Sequence, residues 1–135
     1  MTSKALIKSY YDSDLANDET LIDKFYHKDC IIHWNSSRGY TEMDFNGIIA
    51  FFKGVRESYN NLRFEITHLL EEDNVVTSRH TLYANTIESQ GEEMPIAHYI
   101  CIHQIKDNQI HRSFEISQPA DADSLDSETY SKINI

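Results

Sequence analysis

Three runs in the second half of the chain, residues 74–86, 95–106 and 109–118, are dense in β-branched and aromatic side chains. Each exceeds the usual strand of about five or six residues. A polar loop at 88–93 separates the first two, and Asp107-Asn108 has the chemistry of a tight hairpin turn. Long strands joined this way make an antiparallel sheet, and such a sheet must bury one face. Yet Arg79, His80, His98, His103, His111 and Glu115 stand inside the runs. Charge on a buried face is costly unless it is paired or wetted. The pattern therefore points to a cone of strands around a polar-lined pocket. The plain alternative, for any one of these groups alone, is the solvent face.

The first half reads as helices. Ser3 can cap a helix running to about Asp12, with Ala5, Leu6, Tyr10 and Tyr11 on its apolar side. Asp18 caps a second, where Leu21, Ile22, Phe25 and Tyr26 repeat at helical spacing. Residues 29–34 form a short strand and 35–39 a loop. A third helix opens near Asp44 with the stripe Phe45, Ile48, Ile49, Phe52, Val55 and Tyr59, and Asn60-Asn61 ends it. Residues 62–71 are the next strand. Helices followed by meandering strands make an α+β domain with the helices on one face of the sheet.

Composition excludes some functions. A chain of 135 residues is one domain with room for a core. The net charge of −10 and the scattering of 12 basic residues argue against nucleic acid as a partner. The N-terminal residues hold no apolar stretch long enough for a signal peptide or a membrane span. Cys30 and Cys101 have no metal-motif spacing and read as buried hydrophobes in a reducing, cytoplasmic compartment. Seven histidines raise the question of zinc. His98 and His103 are five apart on one strand and face opposite ways, and no metal site is expected. No Gly-rich phosphate loop is present, so no organic cofactor is expected.

Several local signatures, taken with the order of elements, resemble one family. They are Asn17-Asp18 between the first helices, the segment from Lys28 to His33, and the segment from Asp44 to Ile48 opening the third helix. To these add Asp107 to Ile110, with Phe114 four residues on, where the family usually has Asp-Gly-Lys-Ile and a Trp. Residues 3–120 resemble the SnoaL-like branch of the nuclear transport factor 2-like superfamily. The resemblance implies a cone-shaped fold, with three helices from the N-terminal half packed on a curved, mostly antiparallel sheet. Its members include isomerases, cyclases, hydrolases and plain binding modules, so the fold leaves the function open.

Carried over residue by residue, the resemblance is partial. Ketosteroid isomerases of this fold use a Tyr and two carboxyl groups; Tyr10 matches the Tyr, but Trp34 and Cys101 stand where the acids would be. Epoxide hydrolases of the fold use an Arg and an Asp on one strand and an Asp on the last. Arg79 and Glu115 match, and Thr81 departs. Polyketide cyclases place an acid–base group on the last strand, where Glu115 is nearest. The register shared by these alignments turns Arg79, Thr81 and Tyr83, then Tyr99, Cys101 and His103, then His111, Ser113 and Glu115 inward. A slip of one residue on any strand would bring in His80, His98 or Arg112 instead.

The expectation is a small-molecule pocket protein acting as an acid–base isomerase, cyclase or hydrolase on a small hydrophobic or polyketide-like substrate. Glu115 is the base, Arg79 its ion-pair partner or an oxyanion stabiliser, and His103 a proton shuttle. Tyr10, His33, Trp34, Asn35, Thr81, Tyr99, Cys101 and Ser113 line the binding site. The rival is a non-catalytic ligand-binding or association module. The outer face, with Val76, Leu82, Ile100, Ile102, Ile110, Phe114 and Ile116, is expected to pair with a second copy. Residues 121–135 form an acidic, Ser-rich tail docked through Leu125, Tyr130 and Ile133, with a short helix begun near Ser124. A lid over the pocket mouth is the competing role for that tail.

Overall fold

The computed structural model describes residues 2–87, 92–120 and 129–133. Helix α1 spans Ser3–Asp12. The cap is Thr2, one residue earlier than the sequence suggested: its side chain accepts from the Ala5 amide at 3.0 Å. Leu6, Ile7, Tyr10 and Tyr11 are the buried stripe. Helix α2 is Thr20–Phe25, and Asp18 accepts from the Thr20 amide at 3.0 Å just before it. Helix α3, Phe45–Ser58, is capped by Asp44, whose carboxylate accepts from the Gly47 amide at 2.8 Å. A Cβ at Gly47 would sit 3.3 Å from that carboxylate and from the Met43 Cβ, so glycine lets the cap close.

The strands are β1 (Tyr26–Ser36), β2 (Gly39–Met43), β3 (Tyr59–Glu72), β4 (Val75–Thr86), β5 (Glu93–Lys106) and β6 (Gln109–Pro119). They form one sheet in the order β2-β1-β6-β5-β4-β3, antiparallel except where β1 lies parallel to β6. The chain is thus an α+β domain with a mostly antiparallel six-stranded sheet. Strand β2 begins at the last residue of the expected loop and fills the stretch before α3 that the sequence left unassigned. It is an exposed edge strand without burial alternation, so a pattern-based reading has nothing to detect. Gly39, at φ +105°, lets the chain reverse from β1 into it. The β5–β6 turn holds both Asp107 and Asn108 at positive φ, 54° and 60°, as a two-residue hairpin of this twist demands.

Helices α1, α2 and α3 pack on one face of the sheet. Ile7, Leu15, Phe25, Ile32, Ile48, Val76 and Ile110 are among the buried side chains of the core they enclose. Val76 and Ile110, expected on the outer face, are fully buried here. A short helix α4, Thr129–Lys132, packs on β3 and β4. It is the described part of the tail; Ser124 and Leu125 lie outside the described residues. Among the described residues no helix is long and apolar enough to cross a membrane.

Candidate active site

The ladders define which side chains share a face. Across β1, β6, β5 and β4, one row reads Trp34, Glu115, Cys101, Ser78. The row beside it on the same face reads Ile32, Ser113, His103, Val76, and the row on the other side Ser117, Tyr99, His80. The helices cover this face, and between it and them lies a cavity of about 430 Å3. That volume falls in the range of small-molecule sites. Its wall is mostly aromatic and aliphatic, including Tyr10, Trp34, Phe52 and Tyr99.

The register on β4 differs from the one expected. From Val76 to Leu82, even-numbered residues of β4 stand opposite odd-numbered residues of β5, as in Ser78 opposite Cys101, before the register shifts at Tyr83. The alignment had given both strands the same parity. His80, Leu82 and Ala84 therefore line the cavity, while Arg79, Thr81 and Tyr83 face the outside of the sheet. Arg79 is not Glu115's partner. Its Nη1 donates to Thr67 Oγ1 at 2.7 Å and to the carbonyls of Tyr130 and Ile133 at 3.0 and 2.9 Å. Its guanidinium lies 3.6 Å over the Tyr130 ring. Thr81 hydrogen-bonds His98 Nδ1 at 2.9 Å, and Tyr83 meets Ser131 at 2.7 Å.

Two more expected lining residues sit elsewhere. His33 stacks on Phe114 with ring centroids 5.1 Å apart and bonds the Tyr40 hydroxyl at 2.6 Å, on the outer face. Asn35 is exposed, in the row of Ile116, Ile100 and Arg79. His111 falls where β6 slips register against β5, so it has no partner across that ladder and packs on His27 instead.

On β5 and β6 the expected residues do share the cavity side. Tyr99, Cys101, His103 and Glu115 line it, and Ser113 is buried beneath. Trp34 lines it too, edge-on to Phe51 of α3, with Nε1 donating to Ser117 Oγ at 2.8 Å. The Tyr10 hydroxyl is hydrogen-bonded to that of Tyr26. His103 is bound at both nitrogens, to Tyr11 Oη at 2.8 Å and Ser113 Oγ at 2.6 Å. A proton shuttle needs a free nitrogen at the substrate, which His103 lacks.

Glu115 is different. Among the described residues no hydrogen bond or ion pair reaches its carboxylate. Its remaining accessible surface faces the cavity. Burial without a partner pushes its pKa up to about 7. Burial, and after it the charge of Glu115, raises the pKa values of Tyr10, Tyr99 and Cys101 above their ordinary ranges. His80, the lining residue that the alignment missed, is held down to about 3 by burial and by neighbouring His103. A β4 pattern in which both alternating sets mix polar and apolar residues gave no signal for it.

Comparisons with known proteins agree with this architecture. The pattern defining the SnoaL-like domain matches residues 7–113. No curated protein matches the chain at the sequence level. Among solved structures, wild-type IdmH, a candidate polyketide cyclase from Streptomyces antibioticus, is similar over 98% of this chain and 100% of its own. The TM-score is 0.71 and the identity 11%. A candidate SnoaL-like polyketide cyclase from Shewanella denitrificans covers 85% of this chain and 89% of its own, at TM-score 0.66 and 16% identity. A candidate ketosteroid isomerase from Kribbella flavida covers 85% and 76%, at TM-score 0.61 and 12% identity. Identities this low speak for the fold alone. With the match spanning most of its length, the chain belongs to the SnoaL-like domain family, in the nuclear transport factor 2-like superfamily.

Proposed function

We propose that this protein is an acid–base enzyme of isomerase, cyclase or hydrolase type, acting on a small hydrophobic or polyketide-like substrate. The observation that carries the reading is Glu115: an unpaired carboxyl group facing an aromatic cavity, poised at about 7. A general base works best with a pKa near the operating pH. Removal of a proton next to a carbonyl asks for such a group beside an apolar wall. Similar candidate cyclases on the same fold support the choice of substrate class.

The rival reading is a non-catalytic binding module, and one observation favours it. Most polar groups of the cavity floor, including His103, Tyr11 and Ser113, bond one another. A thermal-shift screen of enolisable ketones and polyketide-like aromatics, followed by turnover assays, separates the two. Glu115→Gln should keep ligand binding and lose at least about 100-fold in kcat, the usual worth of a general base. Activity should rise with pH through about 7 as the carboxylate forms. Equal turnover by the variant refutes the enzyme reading. The proposed location is the cytoplasm, supported by two free, buried cysteines.

A further inference from the structure

His80 is a polar group of the cavity that the acid–base reading leaves without a task. It is 2% exposed, opposite Tyr99 on β5, and its ring lines the cavity. It stacks on Tyr99, with centroids 5.1 Å apart and planes 6° from parallel, and packs against Tyr11 and Phe64. Nδ1 lies 3.3 Å from Ser78 Oγ. No hydrogen bond reaches Nε2 among the described residues. Nor is Nε2 sealed from solvent, since Arg56 Nη1 is the one sealed, unpartnered side-chain polar atom among them. Nε2 therefore meets the cavity.

The other nitrogen begins a chain. Ser78 Oγ is 2.8 Å from Tyr11 Oη, which is 2.8 Å from His103 Nε2; His103 Nδ1 is 2.6 Å from Ser113 Oγ. Each hydroxyl has one proton to give, and each neutral imidazole one N–H. The Cys101 thiol is also within hydrogen-bonding reach of Tyr11 and Ser78, but sulfur is the weaker acceptor. With the oxygen and nitrogen acceptors preferred, the chain is filled in one of two directions. If Ser113 donates to His103, each link runs toward His80, and every hydroxyl proton has an acceptor. His80 Nδ1 then accepts, and its proton sits on Nε2, in the cavity. In the opposite direction the Ser113 proton has no described acceptor, which is costly for a fully buried group. The first direction is the satisfied one.

We propose that His80 is a second catalytic residue of this cavity, a neutral imidazole whose Nε2–H donates to the substrate oxygen that gains charge when Glu115 removes a proton. The proposal rests on the acid–base reading above. Ser78, Tyr11, His103 and Ser113 are positioning residues that hold the tautomer. In the step, the C–H bond next to a carbonyl breaks and its proton bonds to Glu115. The electron pair forms a C=C bond, and the carbonyl π pair moves to oxygen. His80 hydrogen-bonds that oxygen and keeps its own proton. Where the substrate carries a β,γ C=C conjugated with that enolate, its π pair takes the proton back from Glu115 at the γ carbon. The new C=C settles between the α and β carbons and the carbonyl re-forms, which completes an isomerisation. Burial supports the role, because it leaves His80 and His103 uncharged at neutral pH, with pKa values near about 3 and about 4. Glu115 and His80 stand two strand spacings and two residues apart, about 12 Å between Cα atoms. A compact one- or two-ring ketone fits between their side chains.

Two measurements test it. In protein labelled with ¹⁵N-histidine, the His80 signals, assigned with His80→Gln, should show a neutral Nε2–H tautomer from pH 5 to 8. Ser78→Ala should convert that signal to a mixture of tautomers. An imidazolium or an Nδ1–H tautomer in the wild type overturns the proposal. The second measurement follows deuterium exchange into 2-tetralone in D2O. The wild type should accelerate it and Glu115→Gln should not. His80→Phe should lower kcat about 100-fold, as loss of one oxyanion donor does, with KM changed only a few-fold. Ser78→Ala, which keeps the ring, should lower kcat less and serves should the Phe variant fail to fold. Full activity in the His80 and Ser78 variants, beside an inactive Glu115→Gln, overturns the role of His80 and leaves the acid–base reading standing. A wild type no faster than Glu115→Gln overturns both.

Discussion

The two faces of the sheet handle polar side chains in opposite ways. Toward the helices, the groups are kept neutral: His80, His103, Ser78 and Ser113 are buried and linked to one another or to Tyr11. Glu115 has no hydrogen-bond or ion-pair partner among the described residues, and burial favours its protonated form. On the outer face a permanent charge is accepted, because Arg79 is solvated by Thr67 and by two carbonyls of the tail. A neutral network costs little to bury when every link is made, whereas a guanidinium needs acceptors on several sides. The outer face also divides in two. Its β3–β4 side is covered by α4, while Ile100, Ile102, Phe114 and Ile116 of β5 and β6 remain 41–66% exposed.

The largest expected effect concerns that bare half. We propose that it pairs with a second copy, since contiguous apolar surface of this kind usually marks an interface. Sedimentation at tens of micromolar should give a dimer mass, and Ile116→Glu should halve it. A wild-type monomer would show that the bare half is tolerated in water.

Next in size is the pH response of the inner face. Glu115 has its folded pKa raised from 4.5 to about 7. The native state thus holds a proton between those values that the unfolded chain has released. The associated stability is fully present below 4.5 and is lost as pH rises through about 7. At pH 8 the penalty is on the order of 3 kcal/mol, an upper value because the cavity admits water. Glu115→Gln should therefore be more stable than wild type at pH 8 and nearly equal to it at pH 4, by urea unfolding. The histidines act oppositely: folded pKa values near about 3 and about 4 mean stability present above 6.5 and lost as pH falls below it. A Glu115→Gln variant with the wild-type alkaline limb would show that the carboxylate is solvated after all.

Much of this layout was legible in the sequence, and the exceptions share a cause. The helix stripes, the four long strands and the Asp107-Asn108 turn follow from periodicity and turn chemistry, which are local. On β5, Ile100 and Ile102 oppose Tyr99, Cys101 and His103, and the face assignment held. On β4, Val76, Ser78, His80 and Leu82 alternate with Thr77, Arg79, Thr81 and Tyr83. Neither set is clearly apolar, so composition cannot choose between them. Parity is then decided by the connection to β5 and by the register shift between Leu82 and Tyr83, which are not local. The expected Arg79–Glu115 pair was lost to that one-residue slip, and His80 was gained by it.

A smaller effect comes from cutting single links on each face. Tyr11→Phe leaves Ser78 and His103 Nε2 short of a partner in a dry setting, which should cost about 1–3 kcal/mol. Arg79→Met keeps most of the packing over Tyr130 and leaves Thr67 and the tail carbonyls within reach of water, so about 1 kcal/mol is expected. Urea midpoints at pH 7 measure both. An outer-face variant costing more than the inner one would reverse the contrast between a sealed network and a wetted charge.

The smallest effect expected is removal of the tail. The described part of it lies over β3 and β4 on the outer face, so that part does not cover the cavity; residues 121–128, on which the lid reading also rests, lie outside the described residues. Its anchors are the Tyr130 ring and hydroxyl, the latter donating to the Tyr99 carbonyl at 2.6 Å, and buried Ser131. Ile133, expected as an apolar anchor, is 59% exposed. A segment held as the described one is, by one ring and a few polar contacts, sits at the low-stability end of a domain. A chain ending at Pro119 should lose about 1 kcal/mol, the scale of one or two hydrogen bonds. It should also bind cavity ligands as before. Arg79 would turn to water, which solvates it in place of the two carbonyls. If the shortened chain fails to fold, the tail belongs to the core. If it folds but ligand affinity changes, the outer face is coupled to the cavity through β4, where Arg79 and His80 are chain neighbours on opposite sides.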